Sequence, residues 1–180
     1  MKNLNTKKLA YAALFLALCL VLPMLTGQIP QIGSMLLPMH IPVLLCGLVC
    51  GWQYGAAVGF VAPLLRSVLF GMPPMYPVAI AMAFELLTYG LAIGLVYRRM
   101  AQKGAAGVYA ALLTAMVAGR LVWGVAEVVL LGLGGKAFTA QAFLAGALLN
   151  AVPGIIVQLV LIPAVMAALQ KAGAVKEYAE

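Results

Sequence analysis

At 180 residues, 66% of them hydrophobic and only 8% charged, the chain has too little polar surface to cover a soluble domain. It reads as one all-α polytopic membrane domain over residues 1–180. The net charge of +7 does not signal nucleic acid, because the basic residues sit in short clusters between apolar runs, the pattern of membrane orientation rather than of a binding face.

The first apolar run covers residues 9–24. Lys2, Lys7 and Lys8 ahead of it imitate a signal peptide. Ala17-Leu18-Cys19 is a poor lipoprotein match, however, and no A-x-A-like site follows, so the run is read as a retained first helix. Ala13 and Ala17 fall one turn apart on one face, a small-residue stripe that admits another helix closely. Gly27 to Pro38, with two prolines and two glycines, reads as a loop folding back over the protein. The second helix, residues 40–51, is short for a full span, which suggests that this loop dips to membrane level. Cys46 and Cys50 lie i,i+4 near His40, yet a soft-metal site wants further ligands. They read as small packing residues, and no metal or cofactor is expected.

Trp52-Gln53-Tyr54 reads as an interfacial turn before a third helix over 55–70. The pairs Gly47/Gly51 and Gly55/Gly59 are spaced for tight packing. A proline-stiffened loop, Gly71 to Pro77, leads to a fourth helix over 78–97, ending at Arg98-Arg99. The fifth helix, 105–131, carries Arg120, Trp123 and Glu127. The sixth, 140–169, is expected to break near Pro153-Gly154 and again near Pro163. Six crossings put Lys2, Lys7, Lys8, Arg98, Arg99, Lys103, Lys171 and Lys176 on one side and Lys136 alone on the other. The positive-inside rule then places both termini in the cytoplasm.

This topology collects polar groups in one outer layer: His40, Arg66, Glu85, Tyr89, Arg120, Trp123, Glu127 and Asn150. Each has a plain alternative. Arg120 can pair with Glu127 or Glu85, His40 can serve a loop backbone, and Asn150 can satisfy carbonyls freed near Pro153. Charges at membrane depth cost at least about 2.5 kcal/mol each and usually mark a site or path. Together the eight are read as a substrate-binding set. No catalytic arrangement accompanies them. There is no H-E-x-x-H, no phosphate-binding loop and no aspartate, and Ser34 and Ser67 lack a supporting motif, so no enzyme is expected.

These features resemble the substrate-binding S component of energy-coupling factor (ECF) vitamin transporters. The likeness is carried by the short six-helix plan and Ala13-x-x-x-Ala17. It continues through Leu37-Pro38-Met39-His40-Ile41-Pro42, Gly47 to Arg66, Gly71-Met72-Pro73 and Asn150-Ala151-Val152-Pro153-Gly154. The resemblance implies a high-affinity subunit in a prokaryotic cell membrane that captures a small water-soluble vitamin or precursor outside. It implies docking through Ala13 and Ala17 onto a transmembrane coupling subunit with two ATPase subunits, then toppling within membrane lipid to release the solute inside. The arginines lean toward a carboxylate-bearing vitamin such as pantothenate; riboflavin, a thiamine precursor and a cobalamin-type compound stay open. The alternatives are a structural or assembly membrane protein whose charges only pair helices, and a stand-alone solute carrier.

Overall fold

The computed structural model describes residues 6–25, 35–135, 137, 139–146 and 150–173. The described residues contain helices and no strands. They comprise α1 (Thr6–Leu25), α2 (His40–Cys50), α3 (Trp52–Phe70), α4 (Ile80–Met100), α5 (Ala105–Leu133), α6 (Ala140–Leu144) and α7 (Val152–Lys171). A kinked turn, Met75–Ala79, with Tyr76 in an extended conformation, leads into α4, and a short 3₁₀ turn, Ala101–Lys103, follows it. Five of these helical segments are long and apolar enough to cross a membrane: α1, α3, α4 with its lead-in, α5 and α7. Most of the expected Gly27–Pro38 loop lies outside the described residues, as do Lys2, Lys136 and Lys176 of the orientation count.

At roughly 1.5 Å per residue, the 11 residues of α2 reach about half the hydrocarbon thickness. Every residue of α2 except Ile41 is buried, so the short helix is a core element surrounded by the longer ones. Leu37 adopts a positive φ of 51°, and its carbonyl accepts from the His40 amide at 3.0 Å, turning the chain into α2. The helix α1 packs on α2 and α3 through Ala12, Phe15, Cys19 and Pro23. The Cys19 thiol also reaches the Met39 carbonyl at 3.6 Å.

The centre of the bundle is α4, packed between α3 and α5. Half of its most apolar stretch is buried, against 22% for those of α1, α5 and α7. The antiparallel crossing of α3 and α4 depends on glycine. A Cβ on Gly90 would lie 2.1 Å from the Gly55 carbonyl carbon, and one on Gly59 would lie 2.2 Å from the Leu86 carbonyl oxygen. Gly51 departs from the expected packing role: it has φ 96° and open space around its α-carbon, and it forms the turn between α2 and α3. Because one residue suffices for that turn, Trp52, Gln53 and Tyr54 become the first turn of α3 rather than a separate loop.

The expected sixth helix is divided. Thr139 caps α6, its hydroxyl oxygen accepting from the Ala142 amide at 3.2 Å. Pro153 occupies the opening turn of α7, where a missing N–H costs nothing, so the interruption falls before the proline. Pro163 lies inside a continuous α7 and does not break it. Gly154 seats the start of α7 on the chain leading to α2: a Cβ there would meet the Met35 carbonyl oxygen at 2.6 Å. Leu113, Val117, Leu121 and Val125 of α5 and Ile156 and Val160 of α7 are exposed. Their i,i+4 spacing marks faces suited to lipid.

Candidate functional site

The second turn of α4, the first residue of α2 and the middle of α5 meet around one carboxylate. Glu85 is 1% exposed, and its Oε1 lies 3.0 Å from Arg120 Nη1 and 3.4 Å from His40 Nε2. Tyr89, one turn beyond Glu85, sets its ring edge-on to the imidazole at a centroid distance of 5.2 Å. Gly119 makes room for this arrangement, since a Cβ there would meet Tyr89 Cε1 at 2.7 Å. The Tyr89 ring therefore lies directly against α5, beside Arg120.

Aromatic groups extend the cluster toward α6. The Arg120 guanidinium lies 5.8 Å from the Trp123 ring, within cation–π range. Trp123 stacks on Phe143 at 6.1 Å. The α6 segment can approach this closely because Gly124 and Gly146 leave space: a Cβ on Gly124 would lie 2.5 Å from the Phe143 ring, and one on Gly146 2.7 Å from the Trp123 ring.

The charges compensate one another only in part. Among the described residues, His40 Nδ1 and Nε2, Glu85 Oε1, and Arg120 Nε and Nη2 are buried without an aligned hydrogen-bond partner. A buried polar atom left unpaired costs about 1–3 kcal/mol, and more when charged. An ion pair whose role was to join helices would gain by satisfying these atoms, because burial makes an incomplete pair unfavourable. The polar groups converge among aromatic rings, with Tyr89 against the imidazole and Trp123 within reach of the guanidinium.

A model of the ECF transporter substrate-specific component family matches residues 7–167. The chain belongs to that family. It is a transporter subunit rather than an enzyme, and a multi-pass membrane protein. Membership implies a small-molecule substrate and association with an ECF coupling module. No curated protein and no solved structure matches the chain.

In this S component the eight sequence candidates separate by contact. His40, Glu85, Tyr89, Arg120 and Trp123 form the connected cluster. Arg66 is engaged elsewhere: its Nη1 donates to the Leu20 carbonyl of α1, and its guanidinium lies 5.3 Å from the Phe70 ring. Glu127 is buried two turns beyond Arg120 on α5, whereas Asn150 is exposed in the turn before α7. Ala13 and Ala17 are exposed on the face of α1 turned away from α2 and α3.

Two groups join the picture from the structure. Gln158 on α7 is 1% exposed, with its Nε2 unpaired among the described residues. An amide inside an apolar helix was the available signal. The Tyr76 hydroxyl, in the turn before α4, donates to the Leu130 carbonyl near the end of α5. Nothing in the local sequence marks that contact.

Proposed function

We propose that this S component binds a small water-soluble vitamin or vitamin precursor with high affinity. It captures the solute outside a prokaryotic cell and delivers it inside when docked on a coupling subunit that carries two ATPase subunits. The observation that carries this reading is the buried His40–Glu85–Arg120 cluster, in which His40 Nδ1 and Arg120 Nε and Nη2 lack partners among the described residues. Such atoms are expensive in the empty protein and become favourable when a solute satisfies them.

The proposed topology has six membrane helices in one domain, with α2 as the short one and α6 and α7 sharing the last crossing. Lys7 and Lys8 open α1, Arg98 and Arg99 close α4 and Lys171 closes α7, which supports one basic cytoplasmic side holding both termini. His40 and Glu85 fall near the opposite helix ends, as capture from outside requires. Tyr89 and Trp123 supply apolar walls. Arg66, Glu127 and Asn150 belong to the surroundings of this site rather than to its centre. Ala13 and Ala17 supply the docking stripe, where absent bulk allows a coupling helix to approach.

The test is equilibrium binding of a panel of radiolabelled water-soluble vitamins to the purified protein in nanodiscs. One member should bind at submicromolar concentration, and Arg120→Ala should abolish that binding while the protein remains folded. Failure of every panel member and of their biosynthetic precursors would contradict the reading.

A further inference from the structure

The way Arg120 is held narrows the solute's chemistry, an inference that rests on the S-component reading above. A guanidinium offers five N–H donors in a planar fork. Glu85 faces Nη1, at 3.0 Å, and leaves Nε and Nη2 buried without a partner among the described residues. Those two nitrogens form the side-on edge, whose parallel N–H bonds match the two oxygens of a carboxylate. Arg66 offers no comparable edge, because it is engaged with the α1 backbone and the Phe70 ring, and its nitrogens are not among the unpaired buried atoms.

We propose that the side-on edge of Arg120 receives a carboxylate of the solute in bidentate fashion, with His40 Nδ1 binding a polar group next to it. His40 supports this assignment through its orientation. Its Nε2 faces Glu85 at 3.4 Å, so Nδ1 is the nitrogen left for the solute. The solute class is therefore a small carboxylic acid with a hydrogen-bonding group near the carboxylate. Its apolar portion lies against Tyr89 and Trp123. Glu85 acts as a positioning residue that presents both partners without itself taking the acid.

The test compares acids with their uncharged counterparts on the unmodified protein in nanodiscs. Suitable probes are nicotinate and nicotinamide, biotin and biotinamide, and pantothenate and pantothenol, with neutral riboflavin and cationic thiamine added. A carboxamide or alcohol cannot reproduce the two-oxygen acceptor edge. The bound acid should therefore exceed its counterpart in affinity by at least about 10- to 100-fold. Arg120→Lys, which keeps the charge and loses the fork, should reduce affinity for the acid by a similar factor and so narrow the acid-to-counterpart ratio. Preferential binding of riboflavin or thiamine, or equal binding of an acid and its counterpart, overturns the carboxylate assignment and leaves the S-component reading intact. Binding of no probe and no other vitamin overturns both. The acid-to-counterpart ratio needs no variant, so it decides the matter even if Arg120→Lys fails to fold.

Discussion

Glu85 concentrates the polar contacts of this bundle, because one of its oxygens faces both His40 and Arg120. Glu85→Gln keeps the shape and removes the charge, leaving the guanidinium without its counterion. Breaking a buried pair in this way costs about 3–5 kcal/mol, so the thermal midpoint in detergent should fall by many degrees. Glu85→Ala should also weaken solute binding at least tenfold, read by equilibrium dialysis, because it releases both nitrogen-bearing partners. Arg66→Leu should separate from these variants, lowering the midpoint through loss of the Leu20 contact while leaving solute affinity unchanged. The two arginines were indistinguishable in the sequence, since each is a charge inside an apolar helix. Only a tertiary contact divides them: Arg66 meets the backbone of α1, and Arg120 meets Glu85. Local sequence carries no information about either partner.

At the scale of elements, glycine spacing announced close packing and the structure assigns its partners. Gly55 and Gly59 receive α4, whereas Gly51, of the same residue type and spacing, is consumed by a turn at φ 96°. Periodicity cannot separate those roles, because both exploit the missing side chain. Gly90→Ala should destabilise by about 3 kcal/mol, the upper end for overpacking, since the new methyl would meet backbone that cannot turn aside. Gly132→Ala, with open space around it, is the matched control and should leave the thermal midpoint near that of the parent. The division of the last helix was hidden for a related reason. An apolar run from 140 to 169 reads as continuous with breaks at its prolines, yet Pro153 starts α7 and Pro163 is accommodated within it. The short α6 that results brings Phe143 onto Trp123. Phe143→Ala removes that cover and should speed solute dissociation severalfold in a filter-binding chase, with a smaller change in association.

For the whole molecule, the core side of α1 and its outward face have separate duties. Ala12, Phe15 and Cys19 hold α1 to the bundle, and Ala13 and Ala17 are exposed on its outward face, the proposed docking stripe. Ala13→Trp should therefore block uptake in cells that express the coupling module while leaving binding by the purified protein intact. Loss of both would place Ala13 in the fold rather than at the docking surface. The central claim is that the polar cluster exists to hold a solute, and the measurement that tests it most directly is mass spectrometry of small molecules released when the purified protein is denatured. The account predicts one small water-soluble compound at near-equimolar yield from the parent protein and its loss from the Arg120→Ala variant. Equal recovery of that compound from parent and variant would contradict the account, as would an empty parent protein that binds no vitamin when challenged.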